Sequence, residues 1–195
     1  MKINKNNMRI SFNSPVILSF SFICLVALIL DKITNGFTTN MVFSVYRSSL
    51  VSLLTYVRFI GHVFGHAGWE HFIGNITLIL VVGPLLEEKY GSMNMVLVIV
   101  STAVITGIFH FIFFPGVQLL GASGVVFAMI LLSSFTSIEQ GKIPLTFLLV
   151  SVIYIGGQIY EGITVQDNIS SLSHILGGGV GATLGYFMNA GEIRR

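Results

Sequence analysis

The stretch HILGGGVGATLG, residues 174–185, decides the fold of this chain. Its glycines at positions 177, 181 and 185 recur every four residues, so a helix would carry all three on one face. Inside a membrane, such a face lets a second helix approach very closely, because no side chain separates the two backbones. Gly124 and Ala128 form a matching small face at the same spacing. The sequence therefore predicts close packing between the two helices that carry these faces.

The composition indicates a membrane protein. Only 9% of the 195 residues are charged and 53% are hydrophobic, and the mean hydropathy is +0.86. A soluble domain has about a quarter of its residues charged, so this chain has too few charged residues to form a surface that faces water. The net charge of +2 is small and scattered, which excludes a nucleic-acid-binding surface. The lone Cys24 allows no intrachain disulfide and is interpreted as a packing residue.

Six apolar runs are long enough, or nearly so, to cross a bilayer as helices. They are Pro15–Leu30, Gly68–Leu86, Met93–Phe114, Ser123–Ile138, Ile143–Tyr160 and Ser170–Ala190. The predicted fold is an all-α polytopic membrane protein with six transmembrane helices. A single membrane domain, residues 15–190, would follow a short N-terminal segment (1–14) and precede a tail (191–195). The first run resembles a signal peptide, but no small-residue cleavage site follows it, so we interpret it as a retained helix.

Basic residues near the helix ends predict the orientation. With both termini inside, seven Lys and Arg residues lie inside and three lie outside. The inner set is Lys2, Lys5, Arg9, Lys89, Lys142, Arg194 and Arg195, and the outer set is Lys32, Arg47 and Arg58. Both termini are therefore expected in the cytoplasm. The segment from Asp31 to Ala67 is too apolar for a solvated loop and predicts helices at the membrane interface, with arginines reaching headgroups.

Polar residues inside the predicted spans are the candidates for function, because they are costly in lipid. His71 and Asn75 are four residues apart and share a helix face. They could form interhelical hydrogen bonds, or they could serve a reaction. A zinc site with His62, His66 and His71 is a further alternative, but the sequence has no His-Glu-x-x-His run and no cysteine pair, so we expect no metal.

Ser123 lies in the run Gly121-Ala122-Ser123-Gly124, at a junction between a loop and a helix. The free N–H groups and positive end of the new helix favour an oxyanion near the serine. The run lacks the final glycine of the Gly-x-Ser-x-Gly elbow and any strand before it, which excludes a soluble hydrolase fold. By itself the run could also serve helix packing.

His174 precedes the glycine face of the last predicted helix, and it could be structural or catalytic. The second, fourth and sixth helices would all begin outside, which places His71, Ser123 and His174 within about one turn of a helix start and at one depth. A transporter or channel with a path through His71, Asn75, His110 and His174 is a rival interpretation, although no internal repeat is visible. His110 has no assigned role.

Four motifs follow one another along the chain: Arg58-x3-His62-x3-His66-x4-His71-x3-Asn75, Glu87-x3-Gly91-Ser92, Gly121-Ala122-Ser123-Gly124, and His174-x2-Gly177-x3-Gly181. Together they resemble the rhomboid family of intramembrane serine proteases, in its minimal six-span bacterial form. The resemblance covers residues 58–185, and residues before Arg58 match only loosely. One departure is Phe127, where family members often carry tyrosine; a ring can still pack on His174, but it has no hydroxyl.

The resemblance implies that Ser123 is the nucleophile and His174 its general base. It also implies that His71, Asn75 and the Ser123 backbone N–H receive the oxyanion. The supporting residues would be Gly121, Gly124, Phe127, Gly177 and Gly181. A pseudoprotease relative that binds membrane segments without cutting them is the remaining alternative.

The implied activity is a serine endopeptidase of the bacterial cell membrane that needs no cofactor. Its substrates would be transmembrane or membrane-anchored proteins, cut near the outer end of a span. A helix hides its carbonyl groups in internal hydrogen bonds, so we expect substrates with helix-weakening residues there. Water must reach the serine, which predicts a polar cavity open to the outside and capped by the loop Pro115–Leu120.

Overall fold

The computed structural model describes residues 11–137, 145–164 and 168–190, and this part of the chain is helical. It contains seven α-helices: α1 (Pro15–Ile33), α2 (Leu53–Gly61), α3 (Trp69–Tyr90), α4 (Ser92–Phe113), α5 (Ser123–Ser134), α6 (Leu145–Thr164) and α7 (Asn168–Met188). The expected N-terminal segment, apart from residues 11–14, and the tail 191–195 lie outside the described residues.

Three of these helices, α1, α3 and α4, are long and apolar enough to cross a membrane. This finding covers only the described residues. It confirms the first three predicted spans by length and composition. Helices α1 and α3 continue by about one turn past their predicted ends, and the other boundaries agree to within about one residue.

Helix α5 is shorter than the run that predicts it. It has 12 residues, and a short 3₁₀ turn, Phe135–Ser137, follows it. Nine of its residues are buried, because α3, α4, α6 and α7 pack against it. A helix enclosed by other helices needs no lipid-facing surface, which explains why α5 is apolar on all sides.

The predicted contact between the small faces of α5 and α7 is present. A Cβ atom on Gly177 would collide with the backbone of Gly124, and one on Gly181 would collide with the backbone of Ala128. Further along α7, a Cβ atom on Gly185 would lie 2.7 Å from the ring of Phe135. The two helices therefore touch backbone to backbone, and only glycine fits at positions 177 and 181.

The segment between α1 and α3 differs from the expectation in one respect. Helix α2 does carry exposed apolar side chains, such as Leu53 and Val57, but Arg58 does not reach outward. It is 5% exposed, donates to the carbonyl of Met41 at 3.0 Å and to the hydroxyl of Ser48 at 3.3 Å, and lies over the ring of Tyr46. Arg58 therefore stabilises this segment from inside the protein, because the N–H donors of one guanidinium can bind separate parts of the chain at once.

Glu87, near the C-terminal end of α3, connects α3 with α1 and α4. Its carboxylate accepts hydrogen bonds from the backbone N–H groups of Val16 and Ile17, each at 3.0 Å, and from the hydroxyl of Ser92 at 2.7 Å. The first N–H groups of a helix have no partner within it, so this carboxylate satisfies two of them in α1. Gly91 makes the corner between α3 and α4, with φ at +84°. The motif Glu87-x3-Gly91-Ser92 is therefore structural.

Candidate active site

Ser123 is the first residue of α5, and the chain reaches it through a turn that requires glycine. Gly121 has φ at +132°, a conformation that side-chain-bearing residues rarely adopt. Its N–H donates to the carbonyl of His62 at 2.9 Å. A Cβ atom there would lie 2.9 Å from Nε2 of His71 and 3.7 Å from Oγ of Ser123. The absent side chain therefore lets the His71 ring and the serine approach the same backbone position.

His174 lies on α7 and faces the aromatic ring of Phe127. The two rings stack with centroids 4.3 Å apart and an angle of 6° between their planes. Phenylalanine thus packs on the imidazole without a hydroxyl, as the sequence allows. The ring contact fixes the plane of the His174 imidazole.

One expectation about His174 is wrong. Helix α7 begins at Asn168, so His174 lies in its second turn and not within one turn of its start. The predicted span begins two residues later, at Ser170, because the polar Asn168 ends the apolar run, whereas asparagine is a residue that favours helix ends.

Asn75 and His71 lie on α3, and each has a side-chain N–H group that can serve as a hydrogen-bond donor. The Asn75 side chain is 7% exposed, and its Nδ2 is buried without a hydrogen-bond partner among the described residues. The N–H of Ala67 donates to Nδ1 of His71 at 3.5 Å. In a neutral imidazole the proton is then on Nε2, which becomes a donor. Both side chains can therefore donate to a ligand.

These residues converge on a cavity of about 940 Å³, which we call the central cavity. Its polar lining includes His71, Asn75, Ser123 and His174, the four side chains expected to act in the site. Phe127 also lines it, whereas Gly124, Gly177 and Gly181 lie in the contact between α5 and α7. Its size is within the range of ligand-binding pockets.

The connection between α4 and α5 forms one wall of the central cavity, through Val117, Gln118, Leu119 and Leu120. This agrees with the expected role of the loop Pro115–Leu120. The connection is held by the distant segment before α2. Leu119 and Val45 exchange two backbone hydrogen bonds of 2.9 Å, and the Gln118 amide donates to the Asn40 side chain at 2.9 Å. Residues far apart in sequence thus fix the cavity wall, and no local signal could have identified Asn40 or Val45.

The structure also shows the contacts of His110, to which the sequence assigned no role. Its Nε2 donates to the carbonyl of Val117 at 2.9 Å, and its ring stacks on Phe114 with centroids 5.5 Å apart. The side chain is 1% exposed. His110 therefore holds the start of the cavity wall against α4.

His62 and His66, between α2 and α3, are buried supports of the site. Nδ1 of His62 donates to the carbonyl of Arg58 and Nδ1 of His66 donates to that of Phe64, each at 3.2 Å. The His66 ring packs edge-on against His71 with centroids 5.2 Å apart. Burial lowers the pKa of both side chains to about 4, so both are neutral at pH 7. Among the described residues, no three His, Cys, Asp or Glu side chains are placed to hold a metal ion.

The fold and site define a helical integral membrane protein with a serine, two histidines and an asparagine around one cavity. Comparison with known proteins gives the family. Residues 53–190 match the model of the Rhomboid domain, so the chain belongs to the rhomboid family, which is a family of intramembrane serine proteases.

Two animal proteins illustrate the similarity. Rhomboid-related protein 2 of Mus musculus is 29% identical over 142 residues, which cover 66% of this chain and 47% of that protein. Rhomboid-related protein 1 of Caenorhabditis elegans is 28% identical over 138 residues, covering 66% and 39% respectively. The chain thus spans less than half the length of these two relatives.

Proposed function

We propose that this protein is an intramembrane serine endopeptidase in which Ser123 and His174 act as a catalytic dyad. The observation that carries the proposal is the central cavity, where Ser123, His174, His71 and Asn75 meet. A nucleophile, a base and two donors around one space are the groups that acyl transfer requires.

In the proposed reaction, His174 takes the proton of the Ser123 hydroxyl as the oxygen attacks a substrate carbonyl carbon. The tetrahedral intermediate collapses, the peptide C–N bond breaks, and His174 returns the proton to the leaving amine. Water then attacks the acyl-enzyme ester with His174 again as base, releasing the acid and restoring Ser123. The stacked ring of Phe127 supports this role, because it holds the imidazole plane where a third catalytic carboxylate would otherwise do so.

The oxyanion would be received by Nε2–H of His71, by Nδ2 of Asn75 and by the backbone N–H of Ser123. The buried, unpartnered Nδ2 among the described residues supports this assignment, because a donor that a fold leaves unsatisfied is costly unless a ligand uses it. The backbone N–H of Ser123 is in the first turn of α5, where N–H groups have no partner within the helix.

We further propose that α1 and α3 to α7 form six spans of one membrane domain, residues 15–190. The termini (1–14 and 191–195) would be cytoplasmic, and the protein would reside in a bacterial cell membrane. The excess of basic residues on the termini's side supports this orientation. Substrates would be transmembrane or membrane-anchored proteins with helix-weakening residues near the outer end of a span. The reaction requires no cofactor.

A fluorophosphonate probe tests the proposal, because it forms a covalent bond only with an activated serine. The purified protein should be labelled, and Ser123→Ala should not be. The same pair should be compared on an anchored substrate in liposomes. Labelling that persists in Ser123→Ala would show that another residue reacts. Absence of both labelling and cleavage in a folded wild-type protein would instead support the pseudoprotease alternative.

A further inference from the structure

Glu70 stands out among the residues of the central cavity because of its charge. Of the described residues that line the cavity, Glu70 alone is an Asp, Glu, Lys or Arg. It is the second residue of α3 and directly precedes His71. Its side chain is exposed, and its carboxylate forms no ion pair or hydrogen bond with any described residue. A negative charge therefore borders the site with no intramolecular partner in the described part of the chain.

The stretches that supply the lining of the central cavity, residues 67–78, 117–127 and 174, contain no Lys or Arg. Residues 145–190, which include α6, α7 and the connection between them, contain Glu161 and Asp167 but no Lys or Arg. The connection between α4 and α5, residues 114–122, is uncharged. Arg58, the nearest basic residue before α3, is committed to Met41 and Ser48. Glu70 is therefore the charge that the described lining presents to a ligand, and the exposed Arg47, two residues after the Val45 that pairs with Leu119, is the nearest arginine along the cavity wall.

We infer that Glu70 selects substrates with a lysine or arginine close to the scissile bond. This inference rests on the proposed function. A substrate must extend through the cavity, where residues are about 3.3 Å apart along the chain, so a cationic side chain within about four residues of the cleaved bond can reach Glu70. Since Lys and Arg are scarce at the outer ends of spans, such a preference separates a small group of membrane proteins from the rest.

Glu70 could instead serve only the fold, because a carboxylate in the first turn of a helix interacts favourably with the helix dipole. The two roles differ in what they predict. A purely structural carboxylate affects all substrates equally, whereas a selecting one changes the ratio between substrates of opposite charge.

The experiment measures kcat/KM in liposomes on a set of anchored substrates that differ at one position. Each position within four residues of the scissile bond carries Lys, Gln or Glu in turn. The enzymes are the wild type, Glu70→Gln, Glu70→Lys and the control Glu88→Gln, which removes an exposed carboxylate at the far end of the same helix. Cleavage of the Gln substrate by the wild type, and its loss in Ser123→Ala, tests the proposed function separately.

At one or two adjacent positions, the wild type should prefer Lys over Glu by about two- to fivefold, as expected for an exposed charge pair. The preference should shrink with added salt, vanish in Glu70→Gln, reverse in Glu70→Lys and persist in Glu88→Gln. If the wild type cleaves the Gln substrate but shows no charge preference at any position, or if the preference survives in Glu70→Gln, the inference is wrong and the proposed function stands. If no substrate is cleaved, both are wrong.

Discussion

At the scale of single residues, the proposed nucleophile is held by backbone geometry and the proposed base is held by packing. Ser123 is placed by the glycine turn and the start of α5, and the His174 ring is placed by Phe127. A serine hydroxyl is a poor nucleophile until a base removes its proton, so the proposed mechanism requires both groups.

The first prediction treats Ser123 and His174 as one unit. Ser123→Ala, His174→Ala and the double variant should show the same residual rate on one anchored substrate, a strongly non-additive pattern. Thermal unfolding in detergent verifies that each variant is folded. Substantial activity in both single variants, with losses that multiply in the double variant, would contradict the dyad.

The second prediction concerns Asn75. Replacing it with alanine should lower kcat by about 10²–10³ and leave the fold intact, because its donor matters only as negative charge develops on the substrate oxygen. Because Nδ2 has no partner among the described residues, its loss should cost little stability. An unchanged kcat with a lower melting temperature would show that Asn75 is a structural hydrogen-bonding residue and has no part in the reaction.

At the scale of elements, the contact between α5 and α7 decides whether the proposed dyad can form. Hydrophobic attraction cannot hold two helices together in lipid, so close backbone packing must do so. The contact is made at Gly177 and Gly181, and Ser123 and His174 both line the central cavity beside it. Small residues therefore bring the two residues of the proposed dyad to one cavity.

The third prediction tests this contact with two variants of one helix. Gly181→Val should push α7 away from Ala128 and destabilise the protein by about 3 kcal/mol or more, with loss of activity. Gly179→Val is the matched control, because a Cβ atom at Gly179 meets no atom within 4 Å. Both are measured by thermal unfolding and by cleavage of an anchored substrate. Equal effects in the two variants would show that the helix tolerates no valine anywhere, and full activity in Gly181→Val would disprove the close contact.

At the scale of the whole molecule, buried histidines between α2 and α3 make the fold sensitive to acid. Folding lowers the pKa of His62 and His66 from 6.5 to about 4. Between these values the unfolded chain binds protons that the folded chain does not. Stability is therefore complete above about pH 6.5 and falls as the pH drops toward 4.

The fourth prediction is that the protein loses stability as the pH is lowered. The free energy of unfolding should decrease by up to about 1.4 kcal/mol per pH unit for each histidine. Thermal unfolding in detergent from pH 7.5 to pH 5 measures this, in a range where most carboxylates stay ionised. His66→Gln should lose part of the pH dependence. A melting temperature that does not change over this range would mean that these histidines titrate normally in the folded protein.

The first three spans and the helix faces that pack together could be predicted from the sequence, because hydropathy and residue spacing are local patterns. Apolar runs gave the first three spans, and four-residue spacing gave the packing faces of α5 and α7. The expectation for Arg58 was wrong because the sequence around an arginine in an apolar segment is the same whether its side chain binds lipid headgroups or lies inside the protein. The start of α7 was placed two residues late, at Ser170 instead of Asn168, because a polar asparagine at a helix end resembles a loop residue.

The sequence by itself determined that this protein belongs in a membrane and that α5 and α7 meet along small residues, since hydropathy and residue spacing act over a few turns of one helix. Only the tertiary structure decided how the central cavity is closed. The wall depends on bonds from Leu119 to Val45, from Gln118 to Asn40 and from His110 to Val117. Two of these join segments more than seventy residues apart, and such pairings depend on how the helices are arranged in space, which no local pattern records.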